Sequence, residues 1–258
     1  MLRGTMSGTV PTWFLFLFFS LLGLAFGSFA TALIHRVPTS ESLSTRSKCI
    51  NCTKQLTWRE NIPLFSYLAL RGKCSGCGAR ISLIYPAIEF AMFALFITPL
   101  FLLHSWSAVI LWQVLSTFGV PLFVIDLQHH RLPDLLTGFL SGTSFLVILG
   151  DAIRRNNFDR IAPSLIGAFG LMLFYLLLQI LSRGGMGMGD VKLAASIGLI
   201  SGYFGLRAVF TASFVAFFLG AFVGITLMIV GKAGRKTAIP FGPFMIAGQF
   251  IALLIYAR

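Results

Sequence analysis

WFLFLFFSLLGLAFGSFATALI, residues 13–34, decides what kind of protein this is. The stretch carries no charged side chain, and about 20 apolar residues rising 1.5 Å each are what a ~30 Å hydrocarbon core requires of a helix. A cleaved signal peptide has a shorter apolar centre and leaves through small residues of the A-x-A kind, which this stretch lacks. It reads as a first transmembrane helix. Working outward from it, comparable apolar stretches recur at 83–103, 105–125, 135–150, 161–181, 191–206, 208–230 and 240–256. In the sixth of these eight, Gly198, Gly202 and Gly205 interrupt a segment already short for a crossing. Composition agrees: 57% of the 258 residues are hydrophobic and 11% charged, with mean hydropathy +0.87, where a soluble domain carries about 25% charged residues. The expectation is an all-α polytopic membrane protein of about eight transmembrane helices. Its parts are an N-terminus and first helix (1–34), a polar segment (35–82) and a seven-helix membrane domain (83–258).

Basic residues set the orientation, because loops rich in Lys and Arg stay in the cytosol. With residues 35–82 inside, that side holds Arg36, Arg46, Lys48, Lys54, Arg59, Arg71, Lys73, Arg80, Arg131, Arg183, Lys192, Lys232, Arg235 and Lys236, fourteen of the twenty basic residues. The other side keeps Arg3, Arg154, Arg155, Arg160, Arg207 and Arg258, and three of these cluster after the fourth span against the rule. The net charge of +12 then faces anionic lipid headgroups at the cytosolic surface. A nucleic-acid partner is not expected, since no basic stretch is interleaved with aromatics as single-strand binding requires.

All four cysteines fall in the polar segment, as Cys49-Ile-Asn-Cys52 and, 21 residues later, Cys74-Ser-Gly-Cys77. Each pair sets two thiolates on one tight turn, and two such turns complete a tetrahedral four-sulfur site of the kind zinc prefers. Disulfides are the rival reading, but a segment in the reducing cytosol uses thiols for metal more often than for cross-links. Four protein ligands leave no open coordination position, so the expected zinc is structural, holding together a segment too small for its own core.

The acids number eight: Glu41, Glu60, Glu89, Asp126, Asp134, Asp151, Asp159 and Asp190. An ionisable group on a membrane helix is costly and marks function by default. Asp126 closes the third span ahead of Leu-Gln-His-His-Arg131-Leu-Pro133-Asp134. Asp190 follows the glycine run Gly184-Gly-Met-Gly187-Met-Gly189 and precedes the sixth span, at the same membrane face. Plainer roles stand beside the functional one: Asp190 as a helix cap, Asp126 neutralised by Arg131, Asp134 in a helix first turn facing the dipole, His129 and His130 as solvated loop residues. For Glu89, inside the second span, the local sequence decides nothing.

Taken together these residues resemble the type IV prepilin peptidases, many of them also N-methyltransferases, among the aspartic proteases with a GxGD motif. The resemblance runs through Gly27-Ser-Phe-Ala-Thr-Ala-Leu-Ile-His35-Arg36-Val-Pro38, both cysteine pairs, Glu60-Asn61-Ile-Pro63 and Arg71-Gly72-Lys73-Cys74. It continues in Tyr85-Pro86 with Glu89, Asp126 through Pro133-Asp134, Gly187-Met-Gly189-Asp190-Val-Lys192-Leu193 and Ile239-Pro240-Phe241-Gly242-Pro243. It implies Asp126 and Asp190 as the catalytic pair, with Arg131 and Asp134 as bystanders. It also implies prepilin or pseudopilin substrates cut after Gly behind a short basic leader at the cytosolic face of the bacterial inner membrane. S-adenosylmethionine would be the methyl donor if the second activity is present, and no residues for it are assigned. The alternatives are a peptidase without methyltransferase activity, a proton- or cation-coupled transporter using Glu89, Asp126 and Asp190 as a relay at mid-membrane depth, and a non-catalytic assembly factor docking through the cysteine segment.

Overall fold

The structure, a computed structural model, describes residues 11–182, 185–232, 234 and 237–257. Gly184 of the glycine run, and Arg3, Arg183, Arg235, Lys236 and Arg258 of the charge count, lie outside the described residues. The elements are helices α1 (Thr12–Arg36), α2 (Phe65–Ala69), α3 (Ile84–Leu102), α4 (Trp106–His129), α5 (Asp134–Arg155), α6 (Ile161–Leu181), α7 (Met188–Gly202), α8 (Leu206–Ile229) and α9 (Gly242–Tyr256), with one 3-10 turn at Arg59–Asn61. Among the described residues no strand forms, only the isolated bridges Lys48–Gln55 and Lys73–Arg80.

Six helices, α1, α3, α4, α5, α6 and α8, are long and apolar enough to cross a membrane, and α9 is a shorter apolar helix. With α7, each of the eight expected helices has its counterpart. Their outer faces explain why the chain belongs in lipid. On α8, Phe210, Phe214, Phe218 and Phe222 are more than half exposed, and a spacing of four keeps them on one face. In water this would be an apolar patch in search of a partner; acyl chains solvate it. The protein is a multi-pass membrane protein.

The chain divides into two compact units, within residues 1–101 and 102–258. In the first, α1 and α3 pack closely through glycine: a Cβ at Gly23 would lie 2.8 Å from Phe96 Cβ, and one at Gly27 2.8 Å from Glu89 Cα. Arg36, buried at the end of α1, donates to the carbonyls of Leu43 (3.0 Å) and Thr45 (2.7 Å), which turns the chain into the polar segment. Glu89 finds a local role there. It accepts the N–H of Leu64 at 2.7 Å, a residue held at φ +58° just before α2, where a leucine is strained.

In the second unit α7 is the central helix, packed against α5, α6, α8 and α9, while α4 packs on α5 and α9. Gly198 and Gly202 do not break it. Gly198 lies inside continuous helix and Gly202 is its last residue, and a Cβ at either would run into the α6 backbone, at the Gly167 and Pro163 carbonyls respectively. The absent side chains let two backbones touch, as small residues do between membrane helices. The helix ends at Gly202, short of the expected 206, and Gly205 at φ +106° sits in the connection ahead of α8. The helix ends also differ from expectation. α4 continues through His129 and stops where His130 turns left-handed at φ +51°, so Asp126 lies in the last turn of the helix rather than at its close. α7 begins at Met188, which makes Asp190 its third residue.

At the other end of this unit Asp151 is a buried hub. It accepts from Ser107, from the Tyr203 hydroxyl (2.5 Å), from Arg154 (2.8 Å) and from Arg155 (3.0 Å), tying α4, α5 and the end of α7 together.

Candidate active site and metal centre

Asp126 and Asp190 are both buried, at 5% and 8% exposure, and each is held the same way. Oδ2 of Asp126 accepts the backbone N–H of Gly242 at 3.0 Å, at the start of α9. Oδ2 of Asp190 accepts the backbone N–H of Gly187 at 3.2 Å, at the start of α7. This second contact is the returning arm of a capping box, with a glycine where the capping side chain would stand. The first turn of a helix presents unpaired N–H groups and the positive end of the dipole, so both sites accommodate carboxylates. The plain reading of Asp190 as a cap is therefore part of its environment. The ion pair between Asp126 and Arg131 is not among the described ones.

Leu132, in the loop between α4 and α5, lies against both positions. A Cβ added at Gly189 would sit 2.9 Å from Leu132 Cβ, and one added at Gly242 would sit 3.1 Å from Leu132 Cδ2 and 2.7 Å from Asp126 Oδ2. Two glycines 53 positions apart thus open the space in which the carboxylates stand. Tyr175 of α6 is buried nearby, its ring 6.1 Å from that of Phe241, the residue before Gly242. Tyr175 stacks on Phe217 at 5.6 Å and approaches Ser213 Oγ at 3.4 Å, closing the apolar side of the site. With Oδ2 of each aspartate engaged by a backbone amide, Oδ1 is the oxygen that remains for a water molecule or a substrate.

Sequence reasoning assigned no role to Gly242, Leu132 and Tyr175. A signal for Gly242 was present, since Gly-Pro at the head of an apolar run is a helix start, but nothing local says which carboxylate that start receives. Asp134 instead faces outward at the start of α5 and pairs with Lys192 Nζ at 2.7 Å.

The four cysteines meet. Their sulfurs all lie within 4.8 Å of one another, with Cys49–Cys77 and Cys52–Cys74 at 3.9 Å. A tetrahedron of sulfurs at the usual ~2.3 Å zinc–sulfur distance has edges of about 3.8 Å, so the donor set fits a four-coordinate ion. Disulfides require about 2.05 Å. The two halves repeat one design: the Cys49 N–H donates to the Lys54 carbonyl and the Cys74 N–H to the Ala79 carbonyl, and Thr53 and Gly78, one residue past each second cysteine, both take positive φ. Backbone N–H groups of Cys77 and Gly76 bring the Cys74 thiol down to about 6, whereas Cys52, although the Lys54 backbone lowers it, is pushed up to about 11 by the neighbouring thiols, so without a cation the charge gathers on Cys74. Glu60 joins the halves, accepting from Lys54 at 3.0 Å, from Ser75, and from the Thr57 N–H at 2.8 Å and hydroxyl at 2.9 Å. Ser75, Thr57 and Lys54 hold its carboxyl down at about 2.

An all-helical membrane protein with two buried carboxylates, each accepting a backbone N–H at a helix start, and a four-cysteine cluster defines a narrow class, and comparison with known proteins agrees. Residues 21–103 match the bacterial peptidase A24 N-terminal domain and residues 113–229 the type IV leader peptidase family. A Myxococcus xanthus protein named prepilin leader peptidase/N-methyltransferase is 37% identical over 233 residues, 88% of this chain and 67% of the relative. Proteins of the same name from Bacillus subtilis (33% identical; 91% of this chain, 92% of the relative) and Pseudomonas aeruginosa (32% identical; 91% and 88%) are similar over nearly their whole lengths. No solved structure matches the chain. The chain belongs to the type IV leader peptidase family.

Proposed function

We propose that this protein is an aspartic endopeptidase of the bacterial inner membrane. It cuts the basic leader from prepilins or pseudopilins after Gly at the cytosolic face, with Asp126 and Asp190 as its catalytic pair. The observation that carries this reading is the shared setting of the two carboxylates: both buried, both anchored through Oδ2 to N–H groups at helix starts, with Leu132 against both Gly189 and Gly242. Their position within one turn of the ends of α4 and α7 supports a site at the membrane boundary rather than a mid-membrane relay.

Two carboxylates in such a site do not both ionise cheaply, so the pair holds one proton between them. The ionised member takes a proton from water as the water oxygen attacks the scissile carbonyl carbon. The protonated member donates to the oxygen that gains charge. Collapse breaks the C–N bond, and a proton returned to the nitrogen releases the leader as a carboxylate and the mature chain with a new N-terminal amine. The anchored Oδ2 atoms hold both side chains in place through these steps.

The division of labour we propose gives residues 83–258 the peptidase chemistry and 35–82, with zinc on Cys49, Cys52, Cys74 and Cys77, a structural role at the cytosolic surface among anionic lipids. The relatives' names support a second activity, methylation of the new amine from S-adenosylmethionine. Among the described residues of 35–82, Glu60 is committed to Lys54, Ser75 and Thr57. The test is cleavage of a prepilin by the purified variants Asp126→Asn and Asp190→Asn. Each is expected to lose at least about 10²–10⁴-fold, the usual worth of a general acid or base, with insertion unchanged; cleavage retained by either variant rules the assignment out.

A further inference from the structure

Arg154, Arg155 and Arg160 sit where the charge rule does not expect them, at the end of the second unit away from the two aspartates. A cavity of about 420 Å³ opens there, lined in part by His104, Ser105, Arg155, Arg160, Tyr203 and Tyr256, and among the described residues no Asp or Glu lines it. Both arginines are fixed in advance. Arg155 is bonded to Asp151 through Nε, which leaves its two terminal nitrogens clear of that bond, and the Arg160 guanidinium lies 4.8 Å over the Tyr203 ring. Asp151 is shared by Arg154 and Arg155, so a single carboxylate does not neutralise the cluster. Three helices begin at the same wall. Ser105 caps α4 by accepting from the Ala108 N–H at 3.2 Å, whereas α6, preceded by Arg160, and α8, preceded by Gly205, have no side-chain cap. On α6 the Ile161 N–H is taken by the Phe158 carbonyl and Pro163 has no N–H, and on α8 the Ala208 N–H is taken by the Gly205 carbonyl, so the amides that remain for an outside acceptor are those of Ala162, Leu206 and Arg207.

From Ser105 to Asp126 is 21 residues of helix, about 32 Å at 1.5 Å per residue. That is the thickness of a hydrocarbon core, so the cavity lies at headgroup depth in the leaflet opposite the aspartates. We propose that it is a binding site for a phosphate-bearing anion, supplied by an anionic phospholipid headgroup or by free phosphate, with Arg155 and Arg160 as its charged donors. Such a ligand accounts for arginines retained against the topological rule. Guanidinium suits phosphate oxygens by its fork geometry.

The test uses the purified full chain in neutral detergent, titrated separately with dioctanoyl phosphatidylglycerol and with inorganic phosphate while the melting temperature is followed. Wild type is expected to gain several degrees with at least one probe. Arg160→Gln, which leaves the Asp151 hub intact, should raise the midpoint concentration about tenfold, the loss of one charged hydrogen bond. Arg160→Lys should recover most of the affinity, and Arg155→Gln should weaken binding similarly to Arg160→Gln. Midpoints rather than starting temperatures are compared, so a lowered baseline does not obscure the result. Arg207→Gln, which removes the same charge from the same membrane side outside the cavity, should bind as wild type does. A response to the lipid alone identifies the headgroup as the source, and a response to inorganic phosphate shows that the anion suffices. No shift with either probe, or equal weakening in Arg207→Gln and Arg160→Gln, overturns the proposal.

Discussion

The backbone N–H of Gly242 donates to the carboxylate of Asp126 across 116 positions of sequence, at 3.0 Å. A glycine is required there by contact, because an added Cβ would stand 2.7 Å from Asp126 Oδ2 and 3.1 Å from Leu132 Cδ2. Gly242→Ala must therefore push the carboxylate away from the start of α9 or shift α9 itself. A displacement of about 1 Å at a reacting group is worth on the order of 10²-fold in rate. The expected result is cleavage reduced about 100-fold in a variant that still inserts and melts within a few degrees of wild type. Near-normal turnover would show that the Asp126–Gly242 bond does not position the reacting group.

The contact between α6 and α7 makes a second prediction. At Gly198 a Cβ would collide with the Gly167 carbonyl and lie 2.5 Å from its carbon, and these are backbone atoms that cannot rotate aside. Gly198→Ala is expected to destabilise by about 3 kcal/mol, the upper end for overpacking. Gly170→Ala, on α6 and with nothing within 4 Å of its added Cβ, should be neutral or gain up to about 1 kcal/mol in helix propensity. Thermal melts of the two variants side by side decide this, and equal behaviour would mean that the helices have room to separate.

Removing the metal tests the cysteine cluster. Purified protein is expected to carry one zinc per chain, and Cys49→Ser, Cys52→Ser, Cys74→Ser and Cys77→Ser should each lose it, because a four-sulfur site deprived of a ligand is no longer closed. With no core beneath them, the turns from Lys48 to Arg80 should then open, seen as amide exchange at least tenfold faster across 48–80. Exchange unchanged after stripping would make the cluster dispensable to the fold.

Much of this architecture is legible in the sequence because lipid imposes it. A span must be apolar over about 20 residues whatever it packs against, so the ranges expected at 83–103 and 161–181 emerge as Ile84–Leu102 and Ile161–Leu181. The cysteines are legible for a similar reason, since four thiols at paired spacing bring their geometry with them. Hydropathy could not show where helices end beyond the apolar region: Gln128, His129 and His130 look like loop, yet α4 runs on until His130 turns left-handed. Nor could it say whether Gly198 and Gly202 break a helix or seat one, because that depends on Gly167 and Pro163, more than 30 positions earlier. Asp126 and Asp190 could be singled out as scarce charges. That the former rests on the start of α9 is tertiary information, and nothing near residue 126 encodes it.

Glu60 carries the pH prediction. Its carboxyl, with hydrogen bonds from Ser75, Thr57 and Lys54, is held at about 2 against an ordinary 4.5. A lowered value means that the folded state favours the ionised form, so what Glu60 contributes to joining the two cysteine turns is fully present above about 4.5. It is lost as pH falls from there through about 2. In protein carrying ¹³C-labelled glutamate, the signal that disappears in Glu60→Gln should titrate near 2. At neutral pH the same variant should show faster exchange at the Thr57 amide, which donates to Glu60 Oε2 at 2.8 Å. A Glu60 signal that titrates near 4.5 would mean that the carboxylate is free in solution and that the two turns are joined by the metal alone.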